Sequence, residues 1–232
     1  MGAVSEHGHT KRRQSDVVAD QAPLPVSGAG VTYVTEAKQV LRQRIRAERR
    51  ARSPQERHDV AVALHGVLRE LREVRRAACV ALYAATPGEP GTHLIREALR
   101  DVGVRVLLPV VESDLDLDWA VDDGRMRPSP HLPFPEPAGR RLGHSAIAQA
   151  EVVLLPALAV DTLGHRLGQG GGSYDRALRR VHPASLVLAL VHDEELFDAA
   201  VEPLPVAPHD VPVGGVVTPT RWMRFDPLPR DR

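Results

Sequence analysis

The sequence contains a single cysteine, Cys79, which lies inside the apolar run "ACVALYA". Because this thiol has no partner within the chain, an internal disulfide framework is excluded and a reducing compartment is favoured. No apolar run reaches the roughly 20 residues that cross a bilayer, and the polar N-terminus lacks the apolar segment of a secretion signal. We therefore expect a cytoplasmic protein.

An excess of charge of either sign is also missing. Thirty Lys and Arg residues balance thirty Asp and Glu residues. No overall field would therefore draw the protein to nucleic acid or to an anionic membrane, and any anion site must be local. We expect small-molecule partners and a monomer, with a homodimer as the alternative.

Two familiar kinds of catalytic site are absent from the sequence. The eleven histidines show neither the H-x-x-x-H spacing nor the cysteine pairing of zinc sites, so no zinc is expected. No Ser-His-Asp or Cys-His constellation is recognisable either.

The chain divides into a polar extension, one domain and a short tail. Residues 1–32 contain Gly and Pro and show no sustained periodicity, so we expect them to be disordered. Residues 33–226 are expected to form a single domain, and residues 227–232 a C-terminal tail.

Two helices are predicted at the start of the domain. Apolar residues at helical spacing within 36–52, on an otherwise arginine-rich segment, predict an amphipathic helix with a cationic outer face. The segment "SPQE", Ser53 to Glu56, then has the pattern of a capping box with proline at the first helical position. It predicts a second helix with an apolar stripe from Val60 to Leu71.

Buried strands alternate with helices through the rest of the chain. Strands are predicted at 79–84, 104–110, 152–160, 186–192 and within 211–218, and helices near 93–102, 174–181 and 194–201. Alternation of aspartates with Leu115, Leu117 and Trp119 suggests a half-exposed strand, and the proline-rich stretch 127–137 suggests a loop without regular structure. This order predicts an α/β fold whose mostly parallel sheet is covered on both faces.

The segment "GHRLGQGGGSYDR", residues 164–176, places five glycines between a buried strand and a helix. In open α/β sheets, ligands lie outside the carboxyl ends of the strands, where loops lead into helix N-termini. Each glycine costs about 0.5–1 kcal/mol of additional conformational entropy when ordered. Five glycines together are therefore expected only where the backbone must turn sharply or approach a ligand closely. An anion site, most often for phosphate, is one interpretation.

Other glycine-rich motifs fit this segment less well. A Walker A loop requires a lysine and a hydroxyl residue that "GQGGGSYD" lacks, and Ser173 occupies the last glycine position of a dinucleotide G-x-G-x-x-G. A tight strand-to-helix turn without a ligand remains the structural alternative.

The longer stretch "LLPALAVDTLGHRLGQGGGSYDRAL", 154–178, resembles the signature of the 5-formyltetrahydrofolate cyclo-ligase family, also called 5,10-methenyltetrahydrofolate synthetases. Three other stretches are similar to elements of that family: "KQVLR" at 38–42, "YAATPGEPGT" at 83–92 and "PVAPHDVPVGGVVTP" at 205–219. The resemblance implies a three-layer α/β/α sandwich like that of sugar-phosphate isomerases and CoA transferases.

By resemblance, the reaction converts 5-formyltetrahydrofolate into 5,10-methenyltetrahydrofolate, with ATP as co-substrate and Mg²⁺ as cofactor, and releases ADP and phosphate. ATP phosphorylates the formyl oxygen, and the folate nitrogen N10 then attacks the activated carbon. No covalent enzyme nucleophile is needed, which agrees with the missing constellations. The protein must position two substrates and stabilise developing negative charge.

The resemblance also implies roles for individual residues. Lys38, Arg42 and Arg166 would be the catalytic cations on the ATP phosphates, and the remaining ATP-binding residues would be Gly168, Gln169, Gly170, Gly171, Gly172 and Ser173. Glu89 and Tyr174 would bind the folate, and Asp175 and Asp210 the magnesium ion. Without the resemblance, each has a plainer interpretation, such as a solvated charge for Lys38 or a helix N-terminal charge for Asp175.

Three positions depart from the family pattern. Relatives often carry an aromatic or basic residue in place of Gln169, sometimes a lysine in place of Gly171, and usually a tyrosine in place of Ser173. These differences keep two alternatives open: a non-catalytic folate- or nucleotide-binding paralogue, and a sugar-phosphate isomerase on the related fold.

Overall fold

The computed structural model of the protein describes residues 1–2 and 28–225. Its helices, in chain order, are α1 (Gly28–Ala51), α2 (Pro54–Glu70), α3 (Arg72–Arg76), α4 (His93–Asp101) and α5 (Ser173–Leu178), with short 3-10 helices at His144–Gln149 and Asp193–Glu195. Its strands are β1 (Cys79–Ala81), β2 (Arg105–Val111), β3 (Leu117–Val121), β4 (Met126–Arg127), β5 (Glu136–Pro137), β6 (Val152–Pro156), β7 (Ala159–Asp161), β8 (Arg166–Leu167), β9 (Leu186–Leu190), β10 (Leu196–Phe197), β11 (Gly215–Val217) and β12 (Trp222–Arg224).

Helix α1 begins at Gly28, earlier than the predicted start and inside the segment predicted to be disordered. Residues 28–35 contain no proline, so the helical hydrogen bonding of α1 can extend through them. Most of the predicted extension, and the predicted tail at 227–232, lie outside the described residues. The predicted limits of the extension, domain and tail therefore stay predictions.

The capping box at the start of α2 is confirmed. The Ser53 hydroxyl accepts a hydrogen bond from the backbone N–H of Glu56 at 3.2 Å, and the Glu56 carboxylate accepts one from the backbone N–H of Ser53 at 2.6 Å. A residue in this role typically stabilises a helix by about 1 kcal/mol. The buried residues of α2 are Ala61, Leu64 and Leu68, three members of the predicted stripe.

The main sheet has seven strands in the order β12-β11-β9-β6-β1-β2-β3. The five inner strands, from β11 to β2, pair in parallel, whereas β12 and β3 pair antiparallel at the two edges. The strands β10, β7 and β8 form a smaller sheet, and β4 pairs with β5. The predicted mostly parallel α/β sheet is therefore confirmed.

Successive residues of the inner strands face opposite sides of the sheet, so each face has its own core. Val80, Val106 and Val152 belong to the face covered by α2, α3 and α4. Ala81 and Leu107 belong to the other face, which is covered by α5 and the 3-10 helix at 144–149. The result is the predicted three-layer α/β/α sandwich.

Strand β3 differs from its prediction because it is buried rather than half-exposed. Asp116, which precedes it, is 5% exposed and receives two hydrogen bonds from the Arg180 guanidinium, at 2.5 and 2.9 Å. These bonds lower the pKa of Asp116 to about 2. Asp118 accepts hydrogen bonds from the backbone N–H groups of Gly143 and Trp119. The carboxylates of these aspartates thus have hydrogen-bond partners inside the protein. Their alternation with apolar residues therefore does not indicate a strand with one face in solvent.

Three other local predictions need correction. The helix predicted at 194–201 is a 3-10 turn at Asp193–Glu195 followed by the two-residue strand β10. The strand predicted at 152–160 divides into β6 and β7, which belong to different sheets. Strand β12 was not predicted, and the proline-rich stretch contributes the short paired strand β5.

Candidate active site

A cavity of about 1430 Å³ lies where β1, β2 and β6 end. Tyr83 follows β1, Pro109 and Val111 lie in β2, and Pro156 ends β6; all four line the cavity. Every site residue predicted from the sequence also lines it, namely Lys38, Arg42, Glu89, Arg166, Gly168, Gln169, Gly170, Gly171, Gly172, Ser173, Tyr174, Asp175 and Asp210. The cavity is therefore where a parallel sheet is expected to bind its ligand.

Helix α1 presents a row of cations to this cavity. Lys38, Arg42 and Arg46 follow one another at four-residue spacing, so they share one side of the helix. The Nε of Arg42 donates to the carbonyl of Gly168 at 2.9 Å. Arg46 donates to the backbone carbonyl of Gln169 at 2.9 Å and to its side-chain oxygen at 2.7 Å. Arg46 was not among the predicted residues, although its four-residue spacing from Arg42 was a usable signal.

The glycine segment between β8 and α5 turns through left-handed backbone. Gly170 has φ of 106° and Gly172, which precedes α5, has φ of 67°. Residues with a Cβ rarely adopt such angles. A Cβ at Gly170 would also lie 3.5 Å from the guanidinium carbon of Arg42. That distance is an ordinary van der Waals contact, so the backbone angle is what requires glycine at Gly170.

Both aspartates predicted to bind metal are paired with cations. Asp175 Oδ1 accepts from Arg166 Nη2 at 2.6 Å and from the backbone N–H of Val211 at 3.3 Å. Asp210 pairs with Lys38 and accepts from the backbone N–H of Ala207 at 2.7 Å. Because Val211 follows Asp210 in the chain, this contact brings the first turn of α5 next to the loop that carries Asp210.

Arg42 and Arg46 differ from Lys38 and Arg166 in their partners. Within the part of the chain that the structure describes, neither Arg42 nor Arg46 forms an ion pair with a carboxylate. Burial and the nearby Arg46 lower the pKa of Arg42, and Asp210 opposes this effect. The side of the cavity formed by α1 and the glycine segment therefore carries positive charge that the protein does not neutralise locally.

Another side of the cavity contains a carboxylate and two tyrosines. Glu89 Oε2 accepts from the backbone N–H of Thr86 at 2.9 Å and from its hydroxyl at 3.0 Å. Burial raises the pKa of the Glu89 carboxyl, although the Thr86 hydrogen bonds oppose this. The hydroxyl of Tyr83 donates to the carbonyl of Pro90 at 2.7 Å. Burial raises the pKa of Tyr174, whose hydroxyl is buried without a hydrogen-bond partner among the described residues.

Apolar side chains complete this side of the cavity. They include Leu117, Leu132 and Phe134, while Trp119 is fully buried in the core and does not line the cavity. Glu136 of β5 also lines it, 4% exposed and held by Arg127 at 2.8 Å. Glu136 was not predicted as a site residue, because the surrounding prolines indicate a loop rather than the short strand β5.

The carboxylates of the cavity do not form a dense metal cluster. Among residues 1–2 and 28–225, no group of three or more His, Cys, Asp or Glu side chains is arranged to hold a metal ion. Mg²⁺ in nucleotide sites commonly uses one or two carboxylates, with phosphate oxygens and waters as the other ligands. A pair of aspartates such as Asp175 and Asp210 meets that requirement.

The described part of the chain has no helix that is both long enough and apolar enough to cross a membrane.

Comparisons with known proteins agree on one family. Residues 34–219 match the model of the 5-formyltetrahydrofolate cyclo-ligase family. The chain is similar to the 5-formyltetrahydrofolate cyclo-ligase of Mycolicibacterium smegmatis, with 37% identity over 194 residues that cover 80% of this chain and 95% of the relative. It is also similar to the enzyme of the same name from Escherichia coli, with 31% identity over 183 residues, covering 76% and 97%.

A solved structure shares the fold. The NMR structure of the 5,10-methenyltetrahydrofolate synthetase of Aquifex aeolicus superposes with a TM-score of 0.68 and 27% sequence identity. The matched region covers 84% of this chain and 96% of that one.

Proposed function

The chain belongs to the 5-formyltetrahydrofolate cyclo-ligase family, and from that premise we propose how its cavity performs the reaction. Its function is the ATP-dependent conversion of 5-formyltetrahydrofolate into 5,10-methenyltetrahydrofolate, with release of ADP and phosphate. The cyclo-ligase interpretation of the sequence is thereby confirmed. Neither the isomerase nor the non-catalytic alternative receives support from the relatives.

The observation that carries the proposal is the contrast between the two sides of one cavity. One side combines unneutralised guanidinium groups with a glycine-rich backbone, which suits a triphosphate. The other combines apolar walls with a half-buried carboxylate, which suits a flat heterocycle that carries N–H groups. A reaction between ATP and a reduced folate requires both kinds of surface in contact with each other.

On the nucleotide side, Lys38, Arg42 and Arg166 bind the phosphates of ATP. Backbone groups of residues 168–173, including Gln169 and Ser173, surround the triphosphate, and glycine allows its close approach. As the γ-phosphoryl group transfers, negative charge develops on its oxygens. Cations already fixed around it stabilise this charge without reorganising.

Asp175 and Asp210 would hold a magnesium ion between them and the phosphates. Both carboxylates line the cavity, Asp175 from the first turn of α5 and Asp210 from the adjoining loop, and their oxygen donors are those that Mg²⁺ prefers. When bound, the ion would neutralise phosphate charge. In its absence, Arg166 and Lys38 balance the two carboxylates, so the same cations are available to the phosphates once the metal is present.

On the folate side, Glu89 and Tyr174 orient the pterin ring. Oε2 of Glu89 is held by Thr86, and the carboxylate can accept hydrogen bonds from ring N–H and amino groups. Tyr174 offers a ring face and a neutral hydroxyl. For transfer to occur in this arrangement, the formyl oxygen must lie beside the γ-phosphorus of ATP.

Ring closure then needs no enzyme nucleophile. The formyl oxygen takes the phosphoryl group as the bond between the γ-phosphorus and its bridging oxygen breaks, which releases ADP. N10 attacks the activated carbon and loses its proton, and phosphate departs with the former formyl oxygen. The residues of the cavity contribute by holding the two substrates in line and by excluding water.

The direct test mixes purified protein with 5-formyltetrahydrofolate, ATP and Mg²⁺, and follows the near-ultraviolet absorbance of the methenyl product. We expect product only when both ATP and Mg²⁺ are present. We also expect Arg42→Met to lower kcat/KM by about 30-fold or more, since it removes a charged phosphate ligand. Arg44→Met is the matched control, because Arg44 is exposed on the same helix and contacts Glu202 and Phe197. Absence of product, or equal losses in the two variants, would refute the proposal.

A further inference from the structure

Arg49, near the end of α1, is a buried charge that the reaction described above does not use. Its exposed fraction is 2%, and its guanidinium binds both oxygens of Glu195, also 2% exposed. The Nε donates to Oε1 and the Nη2 to Oε2, each at 2.7 Å. A buried ion pair of this kind is weak support for stability, because desolvation offsets most of the attraction. Stability alone therefore does not explain why this arginine and this glutamate are buried together.

The remaining donors of Arg49 contact two segments that lead to the cavity. Nη1 donates to the carbonyl of Gly88 at 3.2 Å, and Nη2 donates to the carbonyl of Ala157 at 2.5 Å. Gly88 immediately precedes Glu89, which lies on the folate side. Ala157 lies between β6 and β7, on the hairpin path that continues through β8 into the glycine segment.

One guanidinium thus joins three parts of the site. Helix α1 carries Lys38 and Arg42, the turn at Gly88 carries Glu89, and the β7–β8 hairpin leads to Arg166. Glu195 is itself fixed, because it accepts from the backbone N–H of His192 at 2.8 Å. Burial alone would raise the pKa of Glu195, but hydrogen bonds from Arg49 and His192 lower it to about 2, so the carboxylate stays charged at neutral pH.

We propose that Arg49 is a positioning residue that sets the distance between the nucleotide side and the folate side of the cavity. The proposal rests on the site roles given under Proposed function. Phosphoryl transfer requires the formyl oxygen to lie in line with the γ-phosphorus, and an error of about 1 Å in such an alignment can cost about 100-fold in rate. Arg49 does not line the cavity, so its loss should reduce catalysis more than binding.

A neighbouring ion pair provides a matched control. Arg52, the residue after α1, pairs with Glu194, so this pair joins nearly the same two chain segments as Arg49 and Glu195. The exposed fractions of the Arg52 and Glu194 side chains are 21% and 53%, and this pair has no hydrogen bond to Gly88 or Ala157. If both ion pairs act only by holding the end of α1 in place, removing either pair should have the same effect on kcat.

The experiment compares Arg49→Met/Glu195→Leu with Arg52→Met/Glu194→Gln and the wild-type protein. Removing both members of a buried pair together is often neutral for stability. Because this change also leaves the carbonyl of Ala157 and the backbone N–H of His192 without these partners, we expect the Arg49 double variant to melt below the wild type. It should still bind ATP alone within about twofold by calorimetry, while kcat at a temperature where it is folded falls by about tenfold or more. The Arg52 double variant should keep the wild-type kcat.

Arg49→Lys provides a second test that does not depend on the double variant folding. A single ammonium cannot hold a bidentate carboxylate and two carbonyls in the geometry of a guanidinium, so we expect a similar fall in kcat. A wild-type kcat in Arg49→Lys protein, or an ATP dissociation constant that rises as much as kcat falls, would overturn the inference. Failure of the proposed site would be seen separately, as a normal rate in Arg42→Met protein.

Discussion

The two sides of the cavity are held in different ways. On the nucleotide side, the contacts join residues distant in the chain: Lys38 binds Asp210, 172 positions away, and Arg42 binds the carbonyl of Gly168, 126 positions away. On the folate side the contacts are local. Glu89 binds Thr86, three positions away, and Tyr83 binds Pro90, seven positions away.

This difference follows from the charges that each side carries. Several cations close together repel one another, so the nucleotide side needs carboxylates and carbonyls brought from other parts of the fold. A single half-buried carboxylate such as Glu89 needs only a few donors, which one turn can supply. Substitutions on the nucleotide side should therefore disturb both catalysis and distant contacts, whereas those on the folate side should act more locally.

The largest effect is expected from Asp175→Asn on the nucleotide side. The change removes a proposed magnesium ligand and the anion paired with Arg166, whose side chain is only 4% exposed. We expect kcat to fall by about 100-fold or more, with a loss of about 1–3 kcal/mol in the free energy of unfolding. Steady-state kinetics and denaturant unfolding measure the two effects.

Asp122→Asn is the control for Asp175→Asn. Asp122 is also buried and paired with arginines, Arg96 and Arg100, but it does not line the cavity. The Asp122→Asn protein should have a lower free energy of unfolding than the wild type but the same kcat. Equal loss of turnover in both variants would mean that Asp175 acts only through stability.

A smaller and more local effect is expected from Glu89→Gln. Burial raises the pKa of Glu89, so the folded state holds its proton more tightly than the unfolded chain. The stability from that proton is complete below the unfolded pKa of about 4.3 and is lost as pH rises through the raised folded pKa. At pH 8 the variant should therefore be at least as stable as the wild type, and this advantage should vanish near pH 4.

The same substitution should weaken folate recognition. We expect the KM for 5-formyltetrahydrofolate to rise by about tenfold, which corresponds to one charged hydrogen bond, while the KM for ATP stays unchanged. Glu97→Gln, at an exposed position of α4 that does not line the cavity, is the control. If the KM for ATP also rose by about tenfold, the two sides of the cavity would not bind their substrates independently.

The smallest effect is expected within the glycine segment, where two neighbours can be compared. Gly170→Ala forces a Cβ onto backbone with φ of 106°, so we expect the KM for ATP to rise by about fivefold. Gly171 does not have a positive φ, and a Cβ there would meet only Leu115 and Ser173 at 3.4 Å. Gly171→Ala should change the KM less than about twofold. Indistinguishable kinetics in the two variants would contradict a requirement for left-handed backbone at Gly170.

Local sequence patterns predicted much of the fold because local physics decides those features. The capping box at Ser53 starts α2 where expected, and the apolar strands form the predicted parallel sheet. The burial of β3 could not be predicted, because it depends on Arg180, which reaches Asp116 from 64 positions away. Strand β12 also could not be predicted, because its three residues form a strand only by pairing with β11.

The residues that we propose for the reaction could be identified from the sequence, through patterns that resemble those of the family. The glycine segment, the Lys38 and Arg42 spacing and the Tyr174-Asp175 pair are patterns in the chain, and all of these residues line one cavity. Which of their charges neutralise one another, and which remain available, depends on how distant segments pack in the fold. Arg46 and Arg49 lie three residues apart on the same helix, yet Arg46 contacts the glycine segment whereas Arg49 is buried against Glu195. Their chemical identity is the same, and only the segments that pack around α1 distinguish them.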